Sequence, residues 1–337
     1  MAAPEQGSLW GQMVSETIWG RRGVVKTITL SLPLAVMLSI DRPGGRRATW
    51  LACLELFVAV ACWCLACILA NDLTDRQADR SAGKQRWISR LPAGAGVLAV
   101  MLVIGLGVLS LRLGGGGRLA LSSYLAATAL GVLYSVRPVR LKARGLFGPL
   151  AYSSAAMLAF VAVPWAWLEA GWPALAVVAP AVLLDKWVNL HFHQVIDCEA
   201  DRGSGMWTYA ALAGPDRARR SLKWAAALAS VSTLGVLAFV TLSVATWRPA
   251  IGGTGVVAAL AVAAYAGRVR RRPDGASALL RELPPTYLGL TYAVFRILPL
   301  VLLARLAIEE ATMWSVFGVV ALLLAVESWH VFRYRYE

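Results

Sequence analysis

Two short acidic clusters carry the clearest chemical signal in the chain. The first reads Asn71-Asp72-Leu73-Thr74-Asp75-Arg76-Gln77-Ala78-Asp79-Arg80. At 100° per helical residue, Asn71, Asp72, Asp75 and Asp79 fall within an arc of about 100°. Three carboxylates on one face repel one another unless a cation shares them. Mg²⁺ suits such a set, because it takes one or two carboxylates and fills its shell with substrate phosphate oxygens. The second cluster reads His191-Phe192-His193-Gln194-Val195-Ile196-Asp197-Cys198-Glu199-Ala200-Asp201-Arg202. On a helix, Lys186, His193, Gln194, Asp197 and Asp201 share one face, again about 100° wide. Glu199 points nearly the opposite way, and His191 lies about 120° from Asp197.

The elements that must position these residues are apolar. Of 337 residues, 58% are hydrophobic and only 15% charged, and mean hydropathy is +0.61. The stretches 119–136, 146–168 and 225–247 carry no charge at all. About 20 such residues span the hydrocarbon core as a helix. A single soluble domain and a disordered chain are thereby excluded. Ten apolar segments can be drawn, at 24–40, 50–70, 94–111, 119–135, 146–168, 173–195, 224–245, 250–267, 286–304 and 312–331.

The net charge of +14 is read through these segments. Of 33 Lys and Arg, 24 lie in the two termini and the loops after segments 2, 4, 6 and 8, counting Lys26 at the very start of segment 1 with the N-terminus, and seven in the alternate loops. Basic residues collect in cytoplasmic loops. The bias predicts a multi-pass protein of the cytoplasmic (inner) membrane with both termini in the cytoplasm, and it makes nucleic acid an unneeded partner. Residues 1–23 are expected to form a cytoplasmic N-terminal segment, since they show no short apolar core of a signal peptide, and 24–337 a single transmembrane domain. The five Cys form no disulfide framework, and Cys62-x-Cys64-x-x-Cys67 fits no usual zinc spacing. Both acidic clusters sit on the basic, cytoplasmic side.

Asn71-Asp72-x-x-Asp75-x-x-x-Asp79 resembles the first motif of the UbiA superfamily of intramembrane prenyltransferases, and Asp197-x-x-x-Asp201 resembles its second. Tyr134-Ser135-Val136-Arg137-Pro138-Val139-Arg140-Leu141-Lys142-Ala143-Arg144-Gly145 is similar to the family's YS-x-x-P-x-x-x-K loop. The three landmarks come in the family's order across about residues 20–305. The resemblance implies an all-α membrane protein, a bundle of nine transmembrane helices around a central cavity, here with a tenth C-terminal span. It implies an isoprenyl diphosphate donor and Mg²⁺ as cofactor. Asn71, Asp75, Asp79, Asp197 and Asp201 would hold metal, with Asp72 close by. Lys142, with one or more of Arg80, Lys84 and Arg137, would meet the diphosphate. The chain departs from the pattern after the second motif, where Met206 and Trp207 stand in place of a basic residue. Diphosphate recognition then leans on Lys186, Arg202 or Arg144.

The chemistry these residues suit is separation of an allylic cation from a diphosphate anion. Fixed cations and metal stabilise the leaving group, and aromatic faces such as Tyr134, Tyr152, Trp187 or Phe192 can stabilise the cation. His193 could accept a proton late in the reaction, and Arg296 could meet an anionic acceptor. Transfer to a small aromatic or phenolic acceptor is the leading expectation. Cyclisation of the diphosphate alone, as in UbiA-type terpene cyclases, stays open, because the metal sites would look alike. A transporter is disfavoured: the carboxylates gather at one face and no inverted repeat is visible.

Overall fold

The computed structural model describes residues 50–81, 86–244, 282–309 and 311–334, with isolated positions at 35, 38, 252–254, 257, 260 and 279. The apolar segments read at 24–40 and 250–267, and Lys84, lie outside the described residues. The elements are α1 (Trp50–Thr74), α2 (Arg76–Ser81), a 3₁₀ turn (Trp87–Arg90), α3 (Ala93–Leu113) and α4 (Arg118–Ser135). A 3₁₀ turn (Leu141–Ala143) leads into α5 (Phe147–Leu168), followed by α6 (Trp172–Ile196), α7 (Cys198–Gly203), α8 (Tyr209–Ala213) and α9 (Pro215–Ser243). After the undescribed stretch come α10 (Thr286–Glu309) and α11 (Met313–Tyr334). Six of these helices are long and apolar enough to cross a membrane: α1 from Leu54, α3, α5, α6, α9 and α10.

Packing follows chain order. α1 lies on α3 and α4, α4 on α5, α5 on α6, α6 on α9, α9 on α10, and α10 on α11. The last helix also reaches α1, so the tenth span read from the sequence packs on the bundle rather than apart from it. α3 shows why a hydrophobic chain can keep apolar groups outside. Val97, Leu98, Met101, Leu102, Leu106, Leu109 and Leu113 are all more than half exposed, the pattern of a lipid-facing surface.

Small residues let the helices approach closely. A Cβ at Gly131 of α4 would overlap the Cys67 sulfur of α1. Gly131→Leu is therefore expected to separate α1 from α4, at a cost of about 1–3 kcal/mol or more. A lower melting temperature and poorer recovery of monodisperse protein would show it; a wild-type melting curve would mean that this contact is looser than drawn.

Two π-helical turns interrupt the long helices, at Leu158–Ala162 in α5 and Ala293–Ile297 in α10. Each ends two residues before a proline, Pro164 or Pro299. A proline offers no N–H to the carbonyl four residues earlier, and i→i+5 pairing is one way the helix absorbs that loss.

The stretch 196–223, read from sequence as a loop, is largely helical. It contains α7, α8 and the first turns of α9, which begins at Pro215 rather than at 224. Pro at the first position starts α9 well, since its missing N–H would be unpaired there anyway. Ala218 and Leu222 are buried while Arg217, Arg219 and Arg220 point outward, so these turns are amphipathic.

Candidate active site

Both acidic motifs sit where a long helix breaks and restarts. α1 ends at Thr74 and α2 begins at Arg76, so Asp75 occupies the break. α6 ends at Ile196 and α7 begins at Cys198, so Asp197 does the same. The helical ladder nonetheless runs through both breaks: Asp75 N donates to Asn71 O at 2.9 Å and Asp79 N to Asp75 O at 2.8 Å. In the second motif Asp197 N donates to His193 O at 2.9 Å and Asp201 N to Asp197 O at 2.8 Å. The i,i+4 carboxylate pairs thus keep the common face that their spacing predicts. In the first motif the Thr74 hydroxyl donates to the carbonyls of Ala70 and Asn71, both at 2.9 Å, a pattern that bends helices.

The loop between α4 and α5 delivers two cations to the first motif. Arg140 adopts φ 39°, a left-handed conformation uncommon for a residue with a side chain. From there its Nη2 lies 3.2 Å from Asp75 Oδ1. Lys142 is buried, pairs with Asp75 Oδ2, and donates to Asn71 Oδ1 at 2.9 Å. Ser135 Oγ donates to the same Asn71 oxygen at 2.9 Å. With its oxygen fixed, the Asn71 amide nitrogen is left to face Asp72 Oδ1, 3.3 Å away. Asp79 has Arg86 as its cationic neighbour, Nε to Oδ2 at 3.7 Å.

The same loop reaches the second motif. Gly145 N donates to Trp207 O at 2.9 Å, and Gly145 and Thr208 form a short parallel bridge. Gly145 has φ +54°, where a side chain would be strained and would also press on Leu212. Thr208 caps α8 by accepting from Ala211 N, and its hydroxyl donates to Asp201 Oδ2 at 2.9 Å. Burial, and secondarily the charge of Asp197, push the Asp201 carboxyl above its usual range, while the Thr208 hydroxyl offsets part of that. Among the described residues no basic side chain pairs with Asp197 or Asp201.

The structure therefore brings together Asn71, Asp72, Asp75 and Lys142, and ties Asp201 to them through Thr208 and Gly145. It adds Ser135, Arg140, Arg86 and Thr208, which the sequence reading did not select. Arg80 and Arg137 are exposed on α2 and on the α4–α5 loop. Arg144 donates to Pro138 O at 3.0 Å, and Arg202 Nε to Ala211 O at 2.7 Å, so both brace backbone. Tyr134 packs against Tyr152, centroids 6.0 Å apart. His193 is exposed next to Phe192, and Gln194 is buried. The fully buried histidine is His191, whose Nε2 lies 2.7 Å from Ser221 Oγ and 3.0 Å from Ala218 O, joining α6 to α9. Lys186 stands apart from the cluster. Its ammonium pairs with Asp185 at 3.2 Å and lies over the Phe160 ring. Among the described residues no three His, Cys, Asp or Glu side chains converge into a ligand shell.

Solved structures with this helical arrangement are known. A UbiA homologue from Archaeoglobus fulgidus bound to GPP and Mg²⁺ superposes with a TM-score of 0.58 at 21% identity, over 87% of this chain and 96% of that one. The chain has the UbiA fold. A digeranylgeranylglyceryl phosphate synthase matches with a TM-score of 0.59 at 14% identity, over 87% of this chain and 98% of that one. An apo UbiA homologue from Aeropyrum pernix K1 matches with a TM-score of 0.55 at 17% identity, over 85% and 98%. No family model and no curated protein sequence matches the chain. The likeness lies in the UbiA helix arrangement, against a background of low overall identity.

Proposed function

We propose that this UbiA-fold protein transfers an isoprenyl group, with Mg²⁺, from an isoprenyl diphosphate to a small aromatic or phenolic acceptor at the cytoplasmic side of a membrane. The reading rests on one observation above the others. One loop joins two carboxylate motifs on separate helices: its buried Lys142 holds Asn71 and Asp75 of the first, and its Gly145 bonds Trp207, beside the Thr208 that holds Asp201 of the second. The homologue from Archaeoglobus fulgidus, solved with GPP and with DMAPP, each with Mg²⁺, supports it.

The residues present fit a divalent cation. Asp197 and Asp201 are like-charged neighbours, and Asp201 ionises against burial. Neither motif is a complete cage, which suits an ion that takes its remaining ligands from a diphosphate. Asp197 and Asp201 would hold it on one side, and Asn71, Asp75 and Asp79 on the other. When bound, Mg²⁺ supplies charge stabilisation to the departing diphosphate. The chain's own residues do the rest. Lys142 and Arg140 concentrate positive charge where the leaving group's charge grows. Tyr134 and Tyr152, packed on one another at the two ends of the loop, are the rings from which an allylic cation would gain. Helix walls keep water from the cation.

The test is incubation of purified protein with Mg²⁺ and geranyl diphosphate, first alone and then with a panel of phenols and naphthols. Prenylated arene formed only with an acceptor is the expected result. A cyclic terpene from the diphosphate alone would replace transfer by cyclisation. Absence of any Mg²⁺-dependent turnover would remove the enzyme reading.

A further inference from the structure

A second group of side chains lies deeper in the bundle, below the carboxylate motifs. Lys186 lies on α6 about 20° from Asp197 around the helix and about 16 Å below it. Its ammonium is 5.8 Å from the centroid of Phe160, in the π-helical turn of α5. Phe160 in turn meets Trp63 of α1 edge to face, centroids 5.4 Å apart. Trp63 is about 12 Å below Asn71 on its own helix. Three helices that carry the mouth thus converge at one level, and there the space between them is crossed by side chains.

That crossing is polar on the α6 side. Asp185 takes the Lys186 ammonium on Oδ2 at 3.2 Å and the Tyr287 hydroxyl of α10 on Oδ1 at 3.0 Å. Both charged side chains are 15% exposed. An ion pair this enclosed, braced by a phenol from another helix, does not swing aside cheaply, because separating it leaves a buried charge uncompensated. An isoprenyl chain gains nothing by lying against it.

We propose that Asp185, Lys186 and Phe160 form the floor of the donor trough and restrict the donor to short isoprenyl chains. This rests on the donor being an isoprenyl diphosphate. Each isoprene unit adds four chain bonds of about 1.5 Å, or about 5 Å of extended length. Metal and diphosphate, held by the carboxylates, would take up the first several ångströms of that depth. The remaining depth holds about two isoprene units, a ten-carbon chain, and a third meets the ion pair and the ring.

The experiment measures Mg²⁺-dependent binding of dimethylallyl, geranyl, farnesyl and geranylgeranyl diphosphates to the full chain in nanodiscs, by competition against labelled geranyl diphosphate. The wild type should bind the fifteen- and twenty-carbon donors at least about tenfold more weakly than geranyl diphosphate. The double variant Asp185→Leu/Lys186→Met removes both charges together, and Phe160→Ala opens the same level without touching them. Either should bring the twenty-carbon donor to within about threefold of geranyl diphosphate. Equal binding of ten- and twenty-carbon donors by the wild type overturns the floor. So does an unchanged ratio in both variants, including uniform weakening of all four donors, which would place Lys186 at the diphosphate instead. If none of the four binds, the donor reading itself fails, and the floor with it.

Discussion

Lys142→Met is expected to lower kcat/KM for the diphosphate donor by about 10²- to 10³-fold, with little change in the Mg²⁺ concentration giving half-maximal rate. The size follows from removing one fixed cation from a developing anion in a water-poor site, worth about 3–4 kcal/mol. The Mg²⁺ response separates two roles. Lys142 pairs with Asp75 and donates to Asn71 Oδ1. If its purpose were to orient those two oxygens for metal, its loss would raise the Mg²⁺ requirement. If it serves the diphosphate, its loss frees Asp75 for metal while the leaving group goes unsupported. Arg140 stays 3.2 Å from Asp75, so the variant does not leave a carboxylate alone. Near-normal turnover would return Lys142 to a basic residue of a cytoplasmic loop; a large rise in the Mg²⁺ requirement would make it a metal-site organiser.

Lys142 could be picked from sequence and Arg140 could not, although both lie in one twelve-residue stretch. The spacing of the stretch points to the lysine. The arginine reaches Asp75 because its own backbone turns left-handed, which a residue type other than Gly or Asn does not announce. Thr208 was invisible for a related reason. Its tie to Asp201 is local, but its place beside the α4–α5 loop comes with the bond from Gly145 N to the Trp207 carbonyl, across more than sixty residues of sequence. The helical wheel worked for the carboxylates because the ladder continues through both breaks. It separates the histidines as well: His193 shares the acidic face and is exposed there like Asp197, while His191, off that face, is locked between helices. Lys186 was conspicuous as a charge inside an apolar run, yet its partners were not. Asp185 sits about 100° around the helix from it, and Tyr287 comes from a helix whose neighbour no local pattern identifies. Charge density misled once more at 215–223, where five ionisable residues in nine suggested a loop. Those residues line the outer face of α9 while Ala218 and Leu222 are buried, so the periodicity was there under the charge.

Asp197→Asn and Asp201→Asn should each lose about 10²-fold or more in donor turnover while folding at least as well as the wild type without metal. The two halves come from one cause. Burial and the neighbouring Asp197 charge raise the Asp201 carboxyl. A carboxyl raised on folding contributes stability at acid pH that is lost as pH climbs through its folded value. Near neutral pH the ionised pair therefore weakens the metal-free fold, and asparagine removes that penalty while keeping an oxygen for Thr208 to donate to. Mg²⁺ should raise the melting temperature of the wild type by binding the folded form, and should move neither variant appreciably. That readout needs no substrate, so it separates loss of metal binding from loss of chemistry. Glu199, exposed and turned nearly opposite to Asp197 on the helix, supplies the comparison. Glu199→Gln should keep both the Mg²⁺ shift and most of the activity. Equal damage from Glu199→Gln and Asp197→Asn would mean that charge density near the mouth, and not a directed carboxylate pair, is what the second motif provides. A full Mg²⁺ shift in Asp201→Asn would place the cation on the first motif alone, where Lys142 and Arg140 already compete for Asp75.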